Sequence, residues 1–274
     1  MATSQSSEPG AKMKTRPCPL CGAMGRILRY QRDGWDIVEC DACAMVFIGS
    51  QMTYGRQLDA HDWVDDYPKE LARRSENLPF LLSLSRFARR FRPETNTRLL
   101  AQTVRWRATG RLIDFGCGDG SFLARASSEF DVSGIELSPR LVQSARTRID
   151  PAKILEGPLT EVANKSFPAE SFDVVTQFGY IEHEWEPLAA LQAAYRLLRP
   201  GGVTVIKTPN FASWNRHVMR LNWCGFHIPS HCNYFTPKSL SAMLCRAGFH
   251  PLPRVLADSL PTSDSLWMAA RKPV

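Results

Sequence analysis

From about residue 110 onwards, short apolar runs alternate with segments whose apolar residues recur every three or four positions. The runs predict buried strands and the periodic segments predict helices. The predicted strands read "RLIDFG", "DVSGIEL", "AKILEG", "FDVVTQFG", "VTVIKTPN" and "SLWMAARK"; the helices include "GSFLARASSEF", "SPRLVQSARTRI", "EPLAALQAAYRLLRPGG" and "TPKSLSAMLCRAGF". Such alternation is typical of a doubly wound α/β sheet, in which ligands bind at the carboxyl ends of the strands.

A second pattern precedes this region and consists of four cysteines spaced C-x2-C-x18-C-x2-C, at Cys18, Cys21, Cys40 and Cys43. This spacing is in the range of zinc sites. A site of four thiolates leaves no coordination position open, so the expected zinc is structural. The stretch between the pairs, "RILRYQRDGWDIVEC", predicts a hairpin with a type I′ turn at Asp-Gly. Residues 16–50 are therefore predicted to form a zinc ribbon; without metal they would be a module with almost no core.

The remaining segments predict less ordered or helical structure. Residues 1–15 are polar and lack the apolar stretch of a signal peptide, so we expect a disordered leader. Residues 51–109 carry apolar positions at helical spacing, broken at Pro93, and are expected to form a helical linker or cap before a main domain over 110–274. No apolar run approaches the roughly 18 residues of a membrane span, so we expect a cytoplasmic protein.

The net charge of +7 is concentrated in one part of the chain. Residues 68–111 hold eleven of the 34 lysines and arginines but only three of the 27 acidic residues. Two interpretations stay open: a solvated basic face on helices that pack against the main domain, or a surface that binds a phosphate-bearing or acidic substrate.

A glycine-rich turn follows the first predicted strand, in "LIDFGCGDGSF". Glycines let a ligand approach the backbone, and the next helix presents N–H groups at its start. The order G-C-G-D-G differs from the G-x-G-x-x-G loop of dinucleotide sites. Glu136 ends the second strand about twenty residues later, where a carboxylate can bind both hydroxyls of a ribose. These features predict a site for one nucleoside, with Cys117 as a small filler side chain.

The motifs "LIDFGCGDGSF", "GIELSP", "SFDVVTQFGYIEHEWEP" and "LLRPGGVTVIKTPN" occur in this order in the chain. They resemble the successive motifs of class I S-adenosylmethionine (SAM) dependent methyltransferases, over about residues 110–274. "HIPSHCNYFTPKSLSAMLCRAGF" further resembles the branch typified by ubiquinone-biosynthesis methyltransferases. The four-cysteine ribbon is similar to that of zinc-ribbon methyltransferases, many of which act on sugars, lipids or secondary metabolites. The resemblance implies a Rossmann-like seven-stranded sheet.

The resemblance also implies which residues bind SAM. Gly116, Cys117 and Gly118 would line the methionine part, with Asp114 nearby. Glu136 would bind the ribose and Leu137 would flank the adenine. Where the family often has an acid after the third strand, this chain has Pro158, so Leu159 is a backbone candidate for the adenine contact. The remaining pair, which would face the sulfonium, is Gln177 and Phe178.

A hydroxyl or amine acceptor must lose a proton during methyl transfer, and histidine suits that role because its pKa lies near neutrality. His183 follows the fourth strand, on the rim where an acceptor must lie, and is the first candidate for the base. His231 is the second. The lower candidates are His227, Glu182 and Tyr180. A second metal site in "CGFHIPSHC" is conceivable, but the surrounding aromatic residues favour a lid over an acceptor pocket.

The leading hypothesis is a SAM-dependent methyltransferase acting on a small molecule. One alternative is an RNA methyltransferase whose ribbon and basic helices grip phosphates, although basic and acidic residues are balanced within the ribbon and no Asn-Pro-Pro-Tyr-type signature follows the fourth strand. Nucleic acid is therefore a less favoured partner. Another alternative is a non-catalytic SAM-binding subunit. The sequence does not reveal the acceptor, the methylated atom or the oligomeric state.

Overall fold

Two sheets organise the chain in the computed structural model, which describes residues 14–50, 95–254 and 260–274. The predicted leader lies almost entirely outside the described residues, as does most of the predicted helical linker and its basic positions. Within the described ranges, no helix is long and apolar enough to cross a bilayer.

The first sheet is built on the cysteine-rich segment. Strands β1 (Arg26–Arg32) and β2 (Trp35–Cys40) form the predicted hairpin, followed by β3 (Val46–Ile48). The turn residues Asp33 and Gly34 have φ of 51° and 78°, so both adopt the left-handed conformation of a type I′ turn, as predicted. The fourth strand of this sheet comes from far along the chain.

The second sheet has seven strands in the order β10-β11-β8-β7-β4-β5-β6. Its five parallel strands are β4 (Gly110–Phe115), β5 (Phe130–Glu136), β6 (Ile154–Glu156), β7 (Phe172–Phe178) and β8 (Leu198–Pro209). Strands β10 (His250–Pro251) and β11 (Ser265–Arg271) are antiparallel additions at one edge, and β9 (Asn233–Tyr234) belongs to the first sheet. The predicted α/β fold is confirmed.

The described helices connect these strands and cover the sheet. They are α1 (Thr95–Val104), α2 (Ser121–Ala126), α3 (Pro139–Arg146), α4 (Leu159–Ser166), α5 (Pro187–Leu197), α6 (Trp214–Met219) and α7 (Pro237–Arg246). Successive residues of a strand point to opposite faces. In β4, Ile113 and Phe115 pack into one core cluster and Leu112 into another, so the sheet separates two apolar layers.

Two element boundaries differ from the sequence prediction. Helix α5 ends at Leu197, and β8 begins at Leu198 and includes the Pro-Gly-Gly segment that was expected to close the helix. Leu198 is fully buried and pairs with Phe172 of β7, so its packing against the sheet outweighs continuation of the helix. Strands β9 and β10 have two residues each, too few for an alternating pattern to reveal them.

The described end of the basic segment contacts the main sheet. Helix α1 buries Leu99 and Leu100. Arg107 lies 2.9 Å from the carboxylate of Asp173, and the guanidinium of Arg111 lies over the ring of Phe172 at 5.0 Å. Arg107 therefore joins the segment to the main domain, whereas Arg111 already belongs to β4.

Candidate active site

The four predicted metal ligands lie together. The sulfurs of Cys18 and Cys43 are 3.5 Å apart, as are those of Cys21 and Cys40, and all four lie within 4.8 Å of one another. These distances exceed a disulfide bond by more than 1 Å. Four thiolates around one zinc at about 2.3 Å would be separated by about 3.8 Å. The cluster has the size that a tetrahedral zinc requires.

Each cysteine pair lies in the same kind of tight turn. Gly22 N donates to Cys18 O, and Ala44 N donates to Cys40 O, at 2.8 and 2.9 Å. Both donors have positive φ, 79° for the glycine and 59° for the alanine. The repeated turn brings two sulfurs of each pair to the same side, which is how a short segment presents two ligands to one ion.

The glycine-rich turn lies at the carboxyl end of β4. Gly116, Gly118 and Gly120 all have positive φ, between 56° and 75°. A side chain at Gly116 would come within 2.8 Å of the ring of Tyr180, whereas the position of a side chain at Gly118 is open. The backbone of this turn is therefore exposed to a ligand at Gly118 and is closely packed at Gly116.

Cys117 points away from that ligand face. Its side chain is 5% exposed and lies against Gly134 of β5, where even an added Cβ would come within 2.6 Å of the sulfur. Burial, the largest cause, raises the pKa of this thiol far above its ordinary value, and the nearby carboxylates add to the effect. The thiolate is thus disfavoured, which agrees with a filler side chain whose backbone lines the site.

Glu136 lies at the end of β5 and is held by three backbone amides. Its Oε2 accepts from Gly118 N at 2.9 Å, and its Oε1 accepts from Leu137 N and Ser138 N at 2.8 and 2.9 Å. Burial raises the pKa of this carboxyl, and the three amides oppose that rise. The amides fix the orientation of the carboxylate beside the glycine turn, and its remaining lone pairs can accept from hydroxyl groups.

The other predicted cofactor residues lie on β4, directly after β5, and at the start of α4. Asp114 is buried on β4 and accepts from Thr176 Oγ1 at 2.7 Å, so it braces two adjacent strands; burial raises its pKa well above the usual value. Leu137 follows Glu136 directly, and Leu159 begins α4 and packs into the larger core. Asp114 is therefore part of the support beneath the glycine-rich turn.

Gln177 and Phe178 end β7 and point to opposite faces of the sheet. Gln177 Nε2 donates to Thr204 Oγ1 at 3.2 Å, while its buried Oε1 has no hydrogen-bond partner among the described residues. Phe178 packs edge-to-face on Phe122 with ring centroids 5.0 Å apart. A buried amide oxygen without a partner marks a place where a bound donor would lower the free energy.

A buried carboxylate and two histidines meet beyond the end of β7. Glu182, His183 and His231 each place one potential ligand atom within 4.8 Å of the others. The two imidazole rings stand edge-to-face with centroids 4.6 Å apart. Burial raises the pKa of Glu182 to about 7, against smaller opposing effects of which a backbone hydrogen bond is the largest. The Glu182 carboxyl can therefore gain or lose a proton near neutral pH.

Backbone carbonyls favour the Nδ1–H tautomer of both rings. His183 Nδ1 lies 2.9 Å from both Ser230 O and Ser230 Oγ, and His231 Nδ1 lies 2.8 Å from Gly225 O. A carbonyl oxygen only accepts, whereas the Ser230 hydroxyl can accept or donate, so a proton on Nδ1 satisfies all of these contacts and leaves the lone pair of the neutral ring on Nε2. Each Nε2 can then act as a base or as a metal ligand.

Tyr180 and His227, two of the three lower-ranked candidates, have different surroundings. Tyr180 donates its hydroxyl to Glu184 in a short hydrogen bond, and burial raises its pKa well above the usual value. An ionised Tyr180 is thus disfavoured. His227 is buried, with its ring 5.4 Å from that of His231. Sequence reasoning ranked Glu182 low and missed Ser230 and Gly225, whose roles depend on long-range contacts that no local pattern reveals.

Comparison with known proteins places this geometry in a family. The sequence model described as a methyltransferase domain matches residues 86–253, more than half of the chain. A ubiquinone biosynthesis O-methyltransferase of Cereibacter sphaeroides is 30% identical over 154 residues, which cover 53% of this chain and 62% of that protein. The protein of the same name from Psychrobacter arcticus is 30% identical over 174 residues, covering 58% of this chain and 66% of its own length.

A solved structure shares the fold. A SAM-dependent methyltransferase from Archaeoglobus fulgidus superposes with a TM-score of 0.51 at 19% identity, covering 68% of this chain and 98% of that one. The chain spans less than two thirds of the length of the two curated relatives.

Proposed function

The chain belongs to the class I SAM-dependent methyltransferases, and we propose that it transfers the methyl group of SAM to a hydroxyl of a small molecule. The names of the two curated relatives, both O-methyltransferases, support oxygen as the methylated atom. Because the chain spans only part of those relatives, their particular substrate is not carried over. The acceptor class, whether sugar, lipid or secondary metabolite, stays open.

The residues at the carboxyl ends of β4, β5 and β7 fit SAM. Glu136 has lone pairs left for two ribose hydroxyls after binding three amides. The open backbone at Gly118 suits the methionine part, and the unpartnered Gln177 Oε1 suits a donor such as its ammonium group. Leu137 and Leu159 are assigned to the adenine and Phe178 to the sulfonium side. When bound, SAM supplies an electrophilic methyl group for in-line displacement.

The observation that carries the proposal is the buried cluster of Glu182, His183 and His231 beyond the end of β7, in which His183 is held through Nδ1 at Ser230. An acceptor hydroxyl must lose its proton as the oxygen attacks the methyl carbon. We assign that proton to His183 Nε2. The imidazolium that forms is stabilised by Glu182 and by the carbonyl of Ser230, which accepts from Nδ1. His231 lies beside it, and His227 and Tyr180 are not needed as bases.

We further propose that the four cysteines hold one structural zinc and that residues 16–50 form a zinc ribbon. The sulfur distances and the repeated turns support this assignment. The ribbon adds no open coordination position, so the metal would take no part in methyl transfer.

The experiment that tests the proposed function uses SAM carrying a deuterated methyl group. The protein is incubated with this SAM and a fractionated metabolite extract, and products are analysed by mass spectrometry. We expect a small molecule whose mass rises by the labelled methyl group on an oxygen, absent with a Glu136→Ala variant. Label found only in the RNA fraction, or in no product while SAM still binds, would contradict the proposal and favour one of the two alternatives.

A further inference from the structure

The ribbon is joined to the part of the main domain that carries the histidines. We call residues 211–235 the acceptor-side segment. Its strand β9 is the fourth strand of the ribbon sheet, with Val46 opposite Tyr234 and Phe47 opposite Asn233. Ile48 N also donates to Cys232 O at 3.0 Å. The ribbon and this segment thus share one hydrogen-bonded sheet.

A shared apolar core reinforces the junction. Ile37, Val46 and Ile48 of the ribbon are buried in the same cluster as Trp223 and Phe226 of the acceptor-side segment. The cluster is well packed with edge-to-face aromatic pairs, among them Trp223 and Phe226 at 5.5 Å. The ribbon therefore has a core, and the main domain supplies much of it.

Arg16 occupies the centre of this junction. It is 4% exposed, and its Nη1 donates to Cys232 O at 3.1 Å. Its Nη2 donates to Trp185 O at 2.5 Å and to Asn233 Oδ1 at 3.0 Å. The guanidinium lies 4.8 Å from the ring centroid of Trp185. Among the described residues no carboxylate lies within ion-pair distance of it, so carbonyl oxygens and aromatic rings compensate its burial.

The contacts of Arg16 lead directly to the proposed base. Asn233, whose Oδ1 accepts from Arg16, donates through Nδ2 to Ile181 O and Glu184 O at 3.1 and 2.6 Å. These carbonyls flank Glu182 and His183. Cys232 N donates to Glu182 O at 2.8 Å, and Ser230 holds His183 Nδ1. One network therefore fixes the turn after β7 against the acceptor-side segment.

We propose that Arg16 is a positioning residue, through which the ribbon holds the acceptor-side segment and fixes the tautomer of the proposed base. Among the described residues no hydrogen bond joins Arg16 to the glycine turn or to Glu136, so we expect SAM affinity to change little when Arg16 is replaced. A single planar guanidinium donates to three acceptors on two segments, a geometry that lysine cannot reproduce in full.

The test compares Arg16→Met with Arg16→Lys and with Arg29→Met. Arg29 pairs with Glu39 on the exposed face of the β1–β2 hairpin and is the matched control. The first readout is 15N NMR of the histidine rings, which reports the tautomer without any acceptor. The second is turnover with the acceptor found by the labelled-SAM experiment, and only this readout rests on the proposed function. Metal content and SAM affinity by calorimetry check that each variant is folded.

Arg16→Met is expected to keep its metal and to bind SAM within about threefold of the parent. Its His183 signal should move from the Nδ1–H form towards an average of both tautomers, and turnover should fall at least tenfold with KM raised. Arg16→Lys should recover part of both changes. A His183 signal and turnover equal to those of Arg29→Met would overturn the proposal. If Arg16→Met does not fold, Asn233→Ala breaks the same network, and an unchanged His183 tautomer in that variant also overturns it.

Discussion

Glu182→Gln gives the sharpest test of the electrostatics of the site. The carboxyl is 3% exposed, and burial raises its pKa from 4.5 to about 7. A carboxyl whose pKa is higher in the folded protein than in the unfolded chain favours folding less as the pH rises, because the folded state resists ionisation. The loss begins near the unfolded pKa and is complete above the folded pKa. Glutamine has nearly the same shape and does not ionise.

The magnitude follows from the two pKa values. With 4.5 in the unfolded chain and about 7 in the folded protein, ionisation of Glu182 costs the fold about 1 kcal/mol at pH 5.5 and about 3 kcal/mol at pH 8. The free energy of unfolding of Glu182→Gln, relative to the parent, should therefore rise by about 2 kcal/mol between these two pH values.

Urea unfolding of both proteins at pH 5.5 and pH 8 measures this quantity. Metal release at the lower pH would affect both proteins alike and cancels in their difference. Glu161→Gln is the control: Glu161 is exposed and pairs with Lys165 at 2.7 Å, and such a pair contributes about 0–1 kcal/mol at either pH. A relative stability of Glu182→Gln that stays constant within about 0.5 kcal/mol would refute the burial of an ionisable carboxyl beside His183.

Three further outcomes are expected. Glu136→Gln should raise the dissociation constant for SAM roughly tenfold to a hundredfold, the loss of about one or two charge-assisted hydrogen bonds, while Glu156→Gln on the adjacent strand changes it less than twofold in calorimetry. Elemental analysis should find one zinc per chain, absent from Cys40→Ala; a second ion that Cys40→Ala keeps and His231→Ala loses would make the histidines metal ligands and reject His183 as the base. Cys117→Ala should retain SAM affinity and turnover.

Much of the fold could be predicted because its signals are local. The strand that contains Asp114 is an apolar run in the sequence. Asp33-Gly34, between two segments that mix polar and apolar residues, predicts a tight hairpin. The spacing of Cys18 and Cys21 alone predicts a metal-binding turn. Each of these patterns needs only a few consecutive residues to be recognised.

The junction between ribbon and main domain could not be predicted in this way. Strand β9 pairs through only two residues, and Arg16 finds its partners far along the chain. Without metal, residues 16–50 were expected to have almost no core, but Trp223 and Phe226 pack with Ile37, Val46 and Ile48 of this segment. The proximity of Glu182 and His231 could not be predicted either, because the two residues are far apart in the sequence and meet only in the folded protein. The predicted domain boundaries at residues 16, 51 and 110 stay predictions.

The most direct test of His183 as the general base is the pH–rate profile of methyl transfer. It is measured for the parent and for His183→Ala, with the acceptor identified from labelled SAM. Turnover by the parent should rise with pH through one ionisation near neutrality, and His183→Ala should bind SAM normally but lose at least a hundredfold in turnover. Added imidazole should restore part of that loss. A His183→Ala variant with normal turnover and an unchanged pH–rate profile would show that His183 is not the base.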